Sequence, residues 1–271
     1  PIIAYVALSG TARLVLIVIS FAFLGIGNTL MQVSLNPLLT VFVKGDKLAS
    51  TLTLGQFVKS FASLFAPWIA MWGANSISAF TYTNADGKQV GMWWILFVIY
   101  FIVGILGYVL LAFDKIEEPA PDAGTTTIGR CFKLLFSDRI VLLCFLGIVA
   151  HVGVDVGINA QAPRILTEHT GDTFTEIAAT ATMVYFVARM IGCFTGGIVL
   201  SKISNRVGIL VCGTIMTAST VCFAIFCSIT SNPPVALFWV AVALVGFGNS
   251  NVFSLFLSHA LMYRCLLYTS D

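Results

Sequence analysis

Charge is the scarcest ingredient of this sequence: Asp, Glu, Lys and Arg together make up 10% of its 271 residues and leave a formal net charge of +2. So small an excess does not suggest nucleic acid, and no basic run interleaves with aromatics, so that class is discarded. Metal chemistry lacks its pattern too. Cys144, Cys193, Cys212, Cys222 and Cys227 lie inside apolar stretches with no Cys-x-x-Cys spacing; they read as small packing residues, and neither a metal nor a cofactor is expected. No His-Glu-x-x-His, no Gly-x-Ser-x-Gly and no paired intramembrane aspartates occur. An enzyme would rest on His151 and Asp155 alone, so a non-enzymatic role is expected. The chain opens at Pro1 without a methionine or a charged leader; no signal peptide is visible, and the native start is expected upstream.

What the sequence has in excess is hydrocarbon. Apolar residues fill 58% of it and the mean hydropathy is +0.97, more than a soluble fold of this size could bury. Lipid is the alternative, because a helix of about 20 apolar residues crosses the bilayer core with every backbone group bonded internally. Hydropathy read in windows of about 19 residues predicts helices near 12–43, 48–73, 92–113, 138–163, 174–201, 207–230 and 235–261, after the end of an earlier helix at 1–8. The expected fold is an all-α membrane protein, a bundle of transmembrane helices. The first stretch exceeds one crossing, so its ends extend into water or the helix tilts.

The connections alternate in charge. One set carries Lys44, Lys47, Lys115, Arg130, Lys133, Arg139, Lys202 and Arg206; the other carries Arg13, Lys88 and Arg164. The positive-inside rule puts the first set in the cytoplasm. Trp68, Trp72, Tyr82, Trp93 and Trp94 then fall near span ends on the outer side, where aromatic anchors sit. The longest connection, Asp114 to Ser137, holds Glu117-Glu118-Pro119-Ala120-Pro121-Asp122 and reads as a polar linker between two hydrophobic blocks. After Ala260 the pattern breaks, and 263–271 is expected to be a truncated or non-native tail.

Phe23-Leu24-Gly25-Ile26-Gly27-Asn28-Thr29 recurs as Leu244-Val245-Gly246-Phe247-Gly248-Asn249-Ser250, about 220 residues later. Six helices and a linker would occupy that distance, the arrangement of a parallel repeat in two-halved transporters. Chance similarity between glycine-rich apolar helices is the alternative.

Polar groups at membrane depth are costly, so they turn inward, pair, or line a solute path. Asn28, Gln32 and Asn36 recur every four residues and form one stripe, followed by Pro37, which removes a backbone donor. Gln56, Lys59, Ser60 and Ser63 share a face of the next helix, His151, Asp155 and Asn159 share another, and Thr182, Tyr185 and Arg189 a third. Lys59 and Arg189 are the basic residues well inside spans and Asp155 the acidic one, so at least one ion pair is expected. That pair serves either static packing or gating and proton coupling; His151, one turn from Asp155, brings a group that titrates near neutrality. Gly192-x-x-x-Gly196 reads as a close helix approach.

Taken in order, Gln32-Val33-Ser34-Leu35-Asn36-Pro37, Leu52-Thr53-Leu54-Gly55-Gln56-Phe57, Arg189-Met190-Ile191-Gly192, Asn249-Ser250-x-x-Phe253 and Ser258-x-Ala260-Leu261 resemble the major facilitator superfamily. The likeness is to its fucose permease and glucose/galactose transporter branch and covers nearly the whole chain. The resemblance implies twelve helices in two six-helix halves. Residues 1–113 would end the N-terminal half, 114–137 form the cytoplasmic linker, and 138–262 begin the C-terminal half. It implies proton-driven sugar uptake by alternating access, the solute held between the halves near the bilayer midplane. In the fucose permease pattern a coupling carboxylate stands four residues before the Asn-Pro, where this chain has Gln32. Gln56 matches a glutamine associated with sugar binding. Lys59 replaces a polar amide, which leaves room for an acidic sugar or a different solute.

The expectation is therefore a secondary transporter for a small hydrophilic solute, most simply a monosaccharide, with a proton as coupling ion. Asn28, Gln32, Asn36, Gln56, Lys59, Asn159 and Asn249 are the candidate solute-binding residues, and His151, Asp155 and Arg189 the coupling or ion-pair group. The protein is expected to act as a monomer in a bacterial-type inner membrane. An exporter of drugs within the same superfamily is the alternative; it predicts a cavity lined by aromatics and Met. A non-transporting sensor that kept the fold also stays open.

Overall fold

The computed structural model describes residues 2, 10–43, 47–76, 81–83, 89–113, 127–171 and 174–269. The helix end expected at 1–8, apart from Ile2, lies outside them, as do linker residues 114–126, the loop charges Lys44, Lys88 and Lys115, and the last two residues of the tail. The helices are α1 (Gly10–Phe42), α2 (Lys47–Ser76), α3 (Ile95–Phe113), α4 (Ile128–Ser137), α5 (Arg139–Thr170), α6 (Phe174–Val199), α7 (Asn205–Ser228), α8 (Val235–Asn249) and α9 (Val252–Thr269). A two-residue antiparallel ladder between α2 and α3 pairs β1 (Tyr82–Thr83) with β2 (Gln89–Val90), Tyr82 opposite Val90.

Six segments among the described residues are long and apolar enough to cross a membrane: Gly10–Asn36, Ile95–Phe113, Arg139–Thr170, Thr180–Val199, Asn205–Ser228 and Val235–Tyr263. The chain is a multi-pass membrane protein. Seven spans are expected from the sequence, and α2 is the one that falls short. Its 30 residues reach about 45 Å at the helical rise, yet Gln56, Lys59 and a series of hydroxyls dilute its hydropathy.

Three boundaries differ from the sequence-based ones. The last ten residues of the linker region form α4, whose Phe132 and Phe136 are exposed while Leu134 and Leu135 are half-buried. Helix α5 continues past Pro163 to Thr170, where Gly171 (φ 73°) adopts the left-handed conformation that glycine tolerates and returns its N–H to Thr167 O at 2.9 Å. At its start the Asp138 carboxylate caps α5 by accepting from Ile140 N (2.9 Å) and Val141 N (3.3 Å). The span expected over 235–261 is interrupted at Ser250–Asn251, where Ser250 N–H turns back to Phe247 O at 3.3 Å, three residues away instead of four.

By internal packing the chain divides into two units, 1–35 with 65–125, and 36–64 with 126–271. In the first, Phe21 of α1 meets Phe97 of α3 edge-on at 5.8 Å, and Gly91 N–H bonds Ala74 O. Helix α3 buries none of its residues and is apolar all round, as a helix bathed in lipid can be. The second unit has two buried clusters. One packs Ala162 and Leu166 of α5, Tyr185 of α6, Phe226 of α7 and Phe238, Val242 and Val245 of α8. The other joins Ala49 of α2, Leu200, Cys212 of α7, and Val252 and Leu255 of α9.

Small residues allow these approaches. A Cβ on Gly246 would stand 2.5 Å from the Tyr185 carbonyl oxygen, and one on Gly248 would stand 2.9 Å from Met216. Gly192 and Gly196 face Ser250 and Asn251, so the Gly-x-x-x-Gly pattern seats α6 against the α8–α9 break. In the other copy of the repeated segment, Gly25 and Gly27 have nothing within 4 Å of such an atom.

Gly246→Ala must therefore push α8 from α6 against rigid backbone, with a loss of about 1–3 kcal/mol from overpacking. Thermal unfolding in detergent should show a lowered Tm, whereas Gly213→Ala, in open space on α7, should leave it unchanged or raised. Equal melting of the two variants would contradict this packing.

Candidate functional site

The four-residue spacing of His151, Asp155 and Asn159 places all three on one face of α5. Tyr185 and Arg189 stand one turn apart on α6, and Asn249 ends α8. These elements converge. The Asp155 carboxylate accepts from Arg189 Nη1 in a salt bridge and from the Tyr185 hydroxyl at 2.5 Å. Tyr185, having donated its proton there, accepts from Asn249 Nδ2 at 3.2 Å and faces Arg189 Nη1 at 3.4 Å.

Asn249 connects this group to His151. Its Nδ2 also donates to the His151 carbonyl at 3.3 Å, so its Oδ1 is the acceptor that faces His151 Nδ1 at 2.9 Å. That assignment puts a hydrogen on Nδ1 of His151. Phe253 of α9 lies beside the imidazole, ring centroids 6.0 Å apart.

Burial gives the cluster its electrostatic character. The guanidinium stays charged under all ordinary conditions, yet the Arg189 side chain is only 3% exposed, against 24% for Asp155. A buried cation without a partner would be severely destabilising, while a buried pair gives little net stability over apolar packing. The acid and base that the sequence places at membrane depth are thus paired, with the carboxylate on the more open side. Two atoms nearby are left over: Arg189 Nε and Asn159 Oδ1 are buried without a hydrogen-bond partner among the described residues.

Helix α2 contributes a second polar face. Ser50 donates to Gly197 O, Leu54 covers Gly197, and Phe57 meets Phe194 at 5.8 Å, so α2 runs antiparallel along α6. Lys59 is exposed and within Coulombic reach of both Arg189 and Asp155. Gln56 is half-buried. Ser60 and Ser63 return their hydroxyls to the carbonyls of Gln56 and Lys59 on their own helix, at 2.8 and 3.0 Å.

The other candidates are placed as follows. Gln32 donates to Asn28 Oδ1 at 3.4 Å along the α1 stripe, and Asn36 is half-buried near the end of α1. Asn159 donates to the Asp155 carbonyl at 2.8 Å. Asn249 is fully enclosed with both ends of its amide engaged, which suits it to holding His151 and Tyr185 in place. Two residues outside the sequence-based site prove central. Tyr185 is 1% exposed; its signal is a phenol at membrane depth one turn before Arg189, where the hydroxyl must find a partner. Asn251, at the break in the last span, donates to Gly192 O of α6 at 3.1 Å, and its signal is a second amide two residues after Asn249.

The burial asymmetry predicts unequal effects. Asp155→Asn strands the Arg189 charge and should cost about 3–5 kcal/mol. Arg189→Met should cost less, because the more exposed carboxyl can take up a proton. The double variant Asp155→Asn/Arg189→Met should recover most of the loss. Thermal unfolding of the three in detergent checks the order, and a double variant no more stable than Asp155→Asn would refute it.

The chain is similar to a protein named "Glucose/galactose transporter" from Brucella abortus biovar 1 (strain 9-941), at 25% identity over 236 residues, 87% of this chain and 55% of the relative. An equal match, with the same coverage, is to the protein of that name from Brucella abortus (strain 2308). The chain thus spans about half the length of the curated relatives it matches. No solved structure gives a significant match. The sequence model of the Major Facilitator Superfamily matches residues 2–262, nearly the full length, and the chain belongs to that superfamily.

Proposed function

We propose that the protein to which this chain belongs is a secondary transporter that carries a monosaccharide across a bacterial-type inner membrane by alternating access, with proton symport. The role is non-enzymatic and the working unit a monomer. The carrying observation is the polar network at membrane depth, in which Asp155, Tyr185, Arg189, Asn249 and His151 join α5, α6 and α8. A lipid-embedded protein with a purely structural interior would do better with apolar packing there.

Family membership supports transport, and the name printed for the relatives supports a sugar. Amides suit that solute because each presents donors and an acceptor that a sugar hydroxyl can exchange with water. In this reading 1–113 ends an N-terminal half, 114–137 links, and 138–262 begins a C-terminal half. Asn36, Gln56, Lys59 and Asn159 face the solute. Asp155 takes the coupling proton, with Arg189 and His151 setting its environment.

Full-length protein reconstituted in vesicles should accumulate labelled monosaccharides saturably, and faster with the outside acidified. Transport of an apolar drug, with no uptake of any sugar, would sink the reading.

A further inference from the structure

The register of α2 against α6 brings the three intramembrane charges to a similar depth. Ser50 and Gly197 mark one level, where the two antiparallel helices touch. Lys59 lies nine residues beyond Ser50 and Arg189 eight residues before Gly197, which at the helical rise is about 14 Å and about 12 Å respectively. By this contact and by that of Phe57 with Phe194, Lys59 and Arg189 stand within about one helical turn of each other in depth, with Asp155 joined to Arg189. From Lys47, at the cytoplasmic end of α2, Lys59 is about 18 Å away along the axis. That is near the middle of a hydrocarbon core of about 30 Å, too deep for its side chain to reach the headgroups.

Asp155 can answer one cation, and it answers Arg189. Among the described residues Lys59 has no ion-pair partner, so two cations face one anion at this level. The excess positive charge is open on the Lys59 side, because Lys59 is exposed while Arg189 is enclosed. Arg189 also keeps a buried, unused Nε donor, and Asn159, one turn along α5 from Asp155, an unused oxygen acceptor. An unmatched charge at membrane depth is expensive unless an anion arrives to meet it. A neutral sugar offers hydroxyls, which satisfy Asn159 but leave the charge as it was. A carboxylate neutralises it with charge-assisted hydrogen bonds, about twice as strong as neutral ones.

Building on the transporter reading above, we infer that the solute is an acidic monosaccharide, of the uronic or aldonic acid class, whose carboxylate binds at Lys59 beside the Asp155–Arg189 pair. Its ring hydroxyls fall to the amides of Gln56 and Asn159, which flank the cations on α2 and α5.

The experiment is competitive uptake of labelled D-glucuronate and D-glucose by vesicles holding the full-length protein. Wild type should favour glucuronate. Lys59→Gln should lower the glucuronate to glucose ratio at least about tenfold, the equivalent of one charge-assisted contact, and Lys59→Arg should restore it. Should Lys59→Gln fold poorly, glucose uptake by the same vesicles provides the internal reference, since only the ratio is read. Glucose favoured by wild type, or a ratio indifferent to Lys59→Gln, overturns the acidic-sugar assignment and leaves sugar transport standing. Uptake of neither probe, with an apolar drug carried instead, removes the transporter reading and this inference with it.

Discussion

Arginine cannot surrender its proton to escape a poor environment, and that single fact organises the second packing unit. Arg189 is enclosed at membrane depth, so a carboxylate has to be held against it, and Asp155 is held there by more than charge. Tyr185 donates to the same oxygen, Asn249 fixes the phenol from α8, and His151 fixes the amide from α5. Each link uses up a polar group that lipid could not have satisfied. The network thereby ties α5, α6 and α8 together by directional contacts, at a position where apolar packing alone would leave their rotation weakly defined.

Such a network needs backbones that come close, and glycine provides the approach. Gly246 lets α8 lie on the Tyr185 carbonyl, and Gly192 and Gly196 admit Ser250 and Asn251. The interruption of the last span at Ser250–Asn251 belongs to the same seam. Asn251 spends its amide on Gly192 O and Ser250 bonds back to Phe247 O, so the polar residues satisfy groups that a continuous helix would have satisfied by itself. Polar cluster, small-residue contact and helix break form one device, with Lys59 on α2 bringing a further charge to its edge.

Much of this was legible in the residue order. The spans follow from apolar length, and the spacing of His151, Asp155 and Asn159 or of Tyr185 and Arg189 follows from the helical repeat. An ion pair follows from the scarcity of charge: one acid and two bases at membrane depth can hardly remain apart. The superfamily was legible too, in short motifs around Gln32, Gln56, Arg189 and Asn249. The break at Ser250–Asn251 was not, because hydropathy averages over a window longer than the two residues concerned. Helix α4 escaped for a related reason, since its ten residues alternate apolar and charged faces within a linker of polar composition.

By itself the sequence determined that these helices belong in lipid and which of their faces carry amides and charges, because both properties are local: hydrocarbon content per residue and the 3.6-residue turn. Only the tertiary structure decided which face meets which. That Asp155 pairs with Arg189 instead of Lys59, that Asn249 is enclosed between His151 and Tyr185, and that Tyr185 joins the cluster depend on contacts between residues 30 to 98 positions apart. Such contacts are set by how α5, α6 and α8 pack on one another, with Gly246 letting α8 lie close on α6, and no periodicity along a single helix encodes that packing.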